Sequence, residues 1–122
     1  TFPEYSSPTL NATVGQPDGS SKMCLSCHDG SVADDILESH NDHPISFIYD
    51  ETLATADGQL KDPTTTTTVI GGTIDHDLLQ GHKVQCSSCH DPHDKNNDGF
   101  FRITKTNDVL CLTCHLDNSL FP

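Results

Sequence analysis

The sequence has no tryptophan, a single methionine, and only six lysine or arginine residues among its 122. With 18 aspartates and glutamates its formal charge is −12 and its pI about 4.6. Phosphate binding needs clustered cations, so this balance excludes nucleic acid as a natural partner. Only 33% of the residues are hydrophobic, and no stretch approaches the roughly 18 consecutive apolar residues of a membrane-spanning helix. No membrane span is expected. Eight glycines and seven prolines dilute the apolar content further, bringing the composition close to that of chains that bury no core by themselves. A start at Thr1 without methionine or apolar leader is what a mature exported product would have.

What the sequence does hold is concentrated. All six cysteines fall in three copies of Cys-x-x-Cys-His, at Cys24, Cys27 and His28, at Cys86, Cys89 and His90, and at Cys111, Cys114 and His115. This is the attachment signature of c-type haem. On one helical turn, cysteines at i and i+3 share a face and can add to the two vinyl groups of one porphyrin, and the next residue points at the iron. Three motifs therefore predict three covalent haems and an electron carrier. Two other cysteine chemistries compete. A zinc ribbon could use Cys86, Cys89, Cys111 and Cys114, but it needs no histidine after each pair and strands Cys24 and Cys27. A disulfide framework likewise leaves the three histidines unexplained.

Three porphyrins would supply the apolar mass that the polypeptide lacks, and covalent attachment would tie distant segments together as disulfides do in small domains. The haems are expected to form the core, wrapped by a thin protein layer.

A second axial ligand for each iron must come from the remaining side chains. Met23 lies directly before Cys24, tied to the proximal side of that haem, so histidine is the expected distal ligand throughout. Five histidines remain: His40, His43, His76, His82 and His93. His93 follows His90 by too few residues for one porphyrin to fit between them, so the two must address different irons, and Pro92 should end the attachment helix. His43 precedes Pro44, which holds it extended beside the apolar Ile45 and Phe47. His82 leads through Lys83, Val84 and Gln85 into the second attachment motif and is the first choice for the third distal ligand, followed by His76 and His40.

The segments Cys-Leu-Ser-Cys-His-Asp-Gly at 24–30, Asn-Asp-His-Pro-Ile-Ser-Phe at 41–47, Cys-Ser-Ser-Cys-His-Asp-Pro-His at 86–93 and Leu-Cys-Leu-Thr-Cys-His at 110–115 resemble, in the same order, the doubled CxxCH family of multihaem cytochromes c. The resemblance runs from about Met23 to His115. It implies electron transfer by exported proteins of anaerobic and metal-respiring microbes, some of whose relatives assemble into haem-chain filaments, and it implies His43 and His93 as distal ligands. The chain departs from the short, lysine-rich triheme shuttles of the periplasm by its length and its acidity.

The expected fold is a mostly irregular small multihaem cytochrome c, one domain over 1–122, with short attachment helices and little strand. Residues 1–22 read as an extended arm with three prolines. Asp29 to Ile36 is expected to continue the first attachment helix, and no clear pattern marks Tyr49 to Asp62. Thr64 to Ile74 suggests a hairpin about Gly71 and Gly72, and Phe100 to Ile103 a short strand or haem cover. Asp94 to Gly99 matches the first half of an EF-hand calcium loop, but Lys105 stands where the bidentate glutamate belongs, so a polar turn is the better reading. Asn11-Ala12-Thr13 is a glycosylation sequon, and the threonine run 64–68 could carry O-linked sugar.

Haem attachment by this motif takes place, in bacteria and archaea, outside the cytoplasmic membrane, so an extracellular or cell-surface place is expected, with the periplasm as the alternative. Three roles fit: a soluble carrier, a subunit of a homopolymeric haem wire passing electrons to redox proteins or extracellular acceptors, and an enzyme whose open iron reduces a small nitrogen oxyanion. The surplus of histidines argues against an open iron, so catalysis is the least favoured.

Overall fold

The computed structural model describes residues 4–5, 7–36 and 43–117. The sequence expectations for His40, for residues 1–3 and for the tail from 118 to 122 lie outside the described residues.

Among the described residues, five short α-helices and one two-stranded ribbon are connected by turns, as the composition leads one to expect. Helix α1 spans Gly19–Leu25, so the arm expected to run to residue 22 gives way to helix four residues earlier. Gly19 takes a φ of +52°, and a Cβ there would lie 2.7 Å from Gln80 Oε1, which favours glycine at this entry. After the first motif the chain does not continue as helix. Gly30 turns at φ +92°, Asp29 Oδ1 accepts the Ser31 N–H, and the Ala33 N–H returns to the Cys27 carbonyl. Asx turns of this kind offer the backbone an alternative to helical bonds, which is why the expected extension to Ile36 fails.

Strand β1, Phe47–Ile48, pairs antiparallel with β2, Lys83–Val84, with Phe47 opposite Val84 and Ile48 opposite Lys83. Helix α2, Glu51–Asp57, occupies the segment without a clear sequence pattern. Its signals are local: Asp50 Oδ1 accepts the Leu53 N–H at 2.9 Å, and Gly58 ends the helix in the left-handed conformation at φ +76°. Helix α3, Ile74–Leu78, begins at Thr73, whose hydroxyl accepts the His76 N–H. The expected hairpin survives only as one bridge between Thr67 and Thr73, because Ile74 starts this helix instead of a strand. Asp77 closes the turn by accepting from Thr68 Oγ1 at 2.6 Å and from the Gly72 N–H at 2.8 Å.

Helix α4 is the single turn Cys86–Cys89, and α5 spans Val109–Cys114 after a 3-10 turn at Thr106–Asp108. Asn107 and Asp108 both have positive φ there, a conformation that short polar side chains tolerate.

The polypeptide buries a core of its own, contrary to the expectation that the porphyrins alone would supply one. Phe47, Tyr49, Leu53, Ala54, Ile74, Leu78, Val84 and Ile103 form one cluster, with Ala12 and Val14 of the N-terminal segment packed against it. Ile74 and Ile103 are almost completely removed from water, each stabilising by about 1.5–3 kcal/mol. The residues come from β1, α2, α3, β2 and the loop before α5, so a few apolar positions spread over the chain converge. Tyr49 carries its hydroxyl to the Lys61 carbonyl at 2.5 Å, and burial pushes its pKa well above the ordinary phenol value.

Candidate haem attachment site

The three motifs share one backbone device. The His28 N–H donates to the Cys24 carbonyl at 3.0 Å, the His90 N–H to that of Cys86 at 2.9 Å, and the His115 N–H to that of Cys111 at 2.9 Å. Each cysteine pair thus rides on one closed helical turn whose last bond is made by the motif histidine. His90 and His115 then leave the helix in extended conformations, with φ of −115° and −90°. Asp91 and Pro92 follow His90, and proline disfavours helix in the residue before it, so α4 can be no longer than its motif. All six cysteines are free thiols. Among the described residues, no three His, Cys, Asp or Glu side chains gather as a metal-ion centre needs, so the four thiols of a zinc ribbon are not assembled. Two thiols separated by one helical turn, followed by an imidazole, are the donor set that a covalently attached haem requires, and each of the three turns fits it.

Buried polar contacts join the first turn to the second. Gln85, 2% exposed, accepts from Ser21 Oγ at 2.6 Å and from Ser46 Oγ at 2.7 Å, and its Nε2 donates to Asp18 Oδ1 at 2.6 Å. Ser21 Oγ also accepts the Cys86 N–H, and the hydroxyls of Ser20 and Ser87 meet at 2.7 Å. Helices α1 and α4 are thereby fixed side by side. Burial pushes the Cys89 thiol up to about 11 and the Cys114 thiol up to about 12, with Cys111 adding to the first shift and Cys89 to the second.

Several histidines hold Nδ1 against an acceptor that cannot donate. His90 Nδ1 lies 2.9 Å from the Gly99 carbonyl, His43 Nδ1 2.7 Å from the Pro44 carbonyl, His82 Nδ1 2.8 Å from Asp75 Oδ1, and His76 Nδ1 2.9 Å from Asp77 Oδ1. In each neutral ring the proton must sit on Nδ1, leaving the lone pair on Nε2, which is how proteins present imidazole to a metal. Sequence reasoning ranked His82 above His76 on position alone, and the structure gives both the same carboxylate support on largely exposed rings. His82 further adopts φ +64°, an uncommon value for a histidine.

His43 faces two aromatic neighbours. Its ring stacks on Phe47 and meets His115 edge-on at an angle of 75°, both with centroids 6.3 Å away. Crowding by protein atoms lowers the His43 pKa, with the Pro44 carbonyl opposing, and burial likewise lowers that of His115. Phe101 packs on the His90 ring at 4.3 Å, and the two residues form a bridge, so the expected strand or cover at Phe100 to Ile103 is a single-residue cover over a motif histidine. His93 is exposed, its backbone N–H donating to Asp91 Oδ1, and His28 is exposed as well. An open groove of about 380 Å³ borders the second motif, lined by Leu78, Leu79, Ser87, His90, Pro92 and Arg102 among others. Asp94 Oδ1 accepts the Asn96 N–H, the pattern of a polar turn, and nothing supports calcium there.

Residues 76–119 match the family model described as Doubled CXXCH motif. The matched segment includes the second and third motifs and the histidines at 76, 82 and 93; the first motif, Cys24 to His28, lies outside it. CXXCH motifs indicate covalently attached c-type haem with its iron, and they point to electron transfer. No curated protein matches the chain. Among the described residues, no helix is long and apolar enough to cross a membrane.

Sequence reasoning missed the positioning residues. Gly99 at His90, Asp75 at His82 and Gln85 between the first two turns act through folded geometry, whereas Phe101 lies in the segment expected as a strand or haem cover. Only the acidic residues beside His76 and near His82 gave any signal.

Proposed function

We propose that this protein transfers electrons through three covalently bound c-type haems, carried by Cys24, Cys27 and His28, by Cys86, Cys89 and His90, and by Cys111, Cys114 and His115. The observation that supports this most is the identical closure of all three turns by the motif histidine on the first cysteine's carbonyl. Each haem, when bound, supplies a one-electron iron couple. The chain's part is to fix spacing and orientation, as in the placement of α1 beside α4. His43, His93 and His82 are the distal ligands of this reading, so each iron is six-coordinate and no substrate is transformed. The protein works outside the cytoplasmic membrane, where this attachment chemistry occurs. Spectropotentiometry of the reduced and oxidised protein tests the reading: three one-electron transitions and no carbon monoxide binding are expected, whereas a carbon monoxide equivalent on the native protein would return the enzyme alternative.

A second reading, a homopolymeric haem wire, is favoured by one observation. The His82 side chain is 71% exposed while Asp75 holds its Nδ1, so its lone pair is presented at the surface. A histidine placed this way can serve an iron in a second copy, and a contact of that kind repeats without closing. Size-exclusion chromatography with light scattering, at rising protein concentration, separates the two: growth in mass is expected for the wire, and a constant monomer mass for a soluble carrier.

A further inference from the structure

We infer that His43 and His115 are the two axial ligands of one iron, that of the haem attached at Cys111 and Cys114, an inference that rests on the three-haem reading above. An imidazole nitrogen lies about 2.0 Å from a metal ion it binds and about 1.1 Å from its own ring centre, so two rings on opposite sides of one metal have centres about 6.2 Å apart. The His43 and His115 centroids are 6.3 Å apart. The 75° between their planes is compatible with this, because each ring can rotate about its bond to the metal. Among the described residues, no other two histidine rings are in contact.

The local chemistry agrees. The Pro44 carbonyl fixes the proton of His43 on Nδ1 and directs the lone pair to Nε2. The backbone around the pair is tied at several points, so the approach is built into the fold. Tyr49, the residue after β1, reaches the Lys61 carbonyl at 2.5 Å and the Cys114 carbonyl at 3.4 Å. The Lys61 N–H donates to the Cys114 carbonyl, the Leu116 N–H donates to that of Gln59, and Leu60 bridges His115. Lys61 Nζ completes the clasp on the Leu112 carbonyl at 2.5 Å. The segment carrying His43 and the turn carrying His115 thus meet on the same short stretch, 59–61. Phe47, stacked on His43 and buried in the core, holds the ring from the side away from solvent.

The test uses holoprotein and spectroscopy. First, wild type must carry three haems per chain; a lower count overturns the three-haem reading before any ligand is changed. His43→Ala should then turn one third of the iron high-spin and let the reduced protein bind one equivalent of carbon monoxide. The same substitution in a chain with Cys111→Ala and Cys114→Ala, which carries two haems, should add neither. His43→Met provides a variant that retains a ligand: a thioether-to-iron charge-transfer band should appear in the full chain and be missing from the two-haem chain, with one midpoint potential raised. Three low-spin irons in His43→Ala with no carbon monoxide binding would overturn the assignment. So would a high-spin signal or a thioether band that persists once the third haem is removed, since His43 would then serve another iron.

Discussion

The Nδ1 of His90 lies 2.9 Å from the carbonyl oxygen of Gly99, nine residues downstream, so a turn outside the attachment motif sets the tautomer of the second motif histidine. The turn is held by Phe101, whose ring lies against His90 and beneath Lys105 Nζ, 4.7 Å from its centroid. Gly99 has φ +79°, and a Cβ there would press on the Phe101 ring at 3.0 Å.

Phe101→Ala should therefore act on one haem of three. Loss of a half-buried ring is expected to cost about 1–2 kcal/mol, less than the 3–5 kcal/mol of a fully buried phenylalanine. Water admitted beside His90 favours the more highly charged oxidised state, so one midpoint potential should fall while two hold. Thermal melting and a spectropotentiometric titration of the variant check both parts.

Gln85 is the joint between the first and second attachment turns. Gln85→Leu keeps the volume but removes the acceptor of Ser21 and Ser46 and a donor to Asp18. A buried hydroxyl left without its partner costs about 1–3 kcal/mol. Denaturant unfolding of the variant should show a loss of that size, with haem content per chain unchanged.

Asp18 gives the protein a pH dependence of known sign. Hydrogen bonds from Lys83 at 2.6 Å and from Gln85 hold its carboxyl below the ordinary value of 3.8. A depressed folded pKa stabilises the fold at pH values above the unfolded pKa, and that contribution disappears as pH falls through the folded one. Asp18 is about half exposed, so solvent screening keeps the effect modest. Melting temperatures of wild type should fall as the pH drops below about 4, and part of that fall should be missing in Asp18→Asn.

The attachment turns were legible in the sequence because their determinants are local: two thiols and an imidazole on one turn, and a proline after the second. Helix α2 had equally local signals in Asp50 and Gly58, which its weak apolar pattern obscured. What the sequence could not convey depends on convergence. The core draws on Phe47, Ile74, Val84 and Ile103, no two of them neighbours in the chain, so a low apolar fraction suggested no core at all. His43 and His115 meet only because stretch 59–61 clasps the third turn. The expected helix at Asp29 to Ile36 and hairpin at Thr64 to Ile74 gave way to an Asx turn at Asp29 and a threonine cap at Thr73, short polar side chains that override propensity.

His82 and His76 can be separated by substitution, although both have carboxylate support. His82→Ala should turn one haem high-spin, whereas His76→Ala should leave all three low-spin, as read by electron paramagnetic resonance of the oxidised protein. If His82 serves a second copy, the wild-type signal should itself show high-spin iron on dilution.

The central claim is that all three turns carry haem. Intact mass spectrometry of denatured protein, purified from a host with c-type haem attachment machinery, measures this directly. A mass equal to the polypeptide plus three haems is expected, falling by one haem when Cys24 and Cys27 are both replaced by alanine. A mass with two haems that is unchanged by that replacement would contradict it, because the first turn, which lies outside the doubled motif, would then be no attachment site.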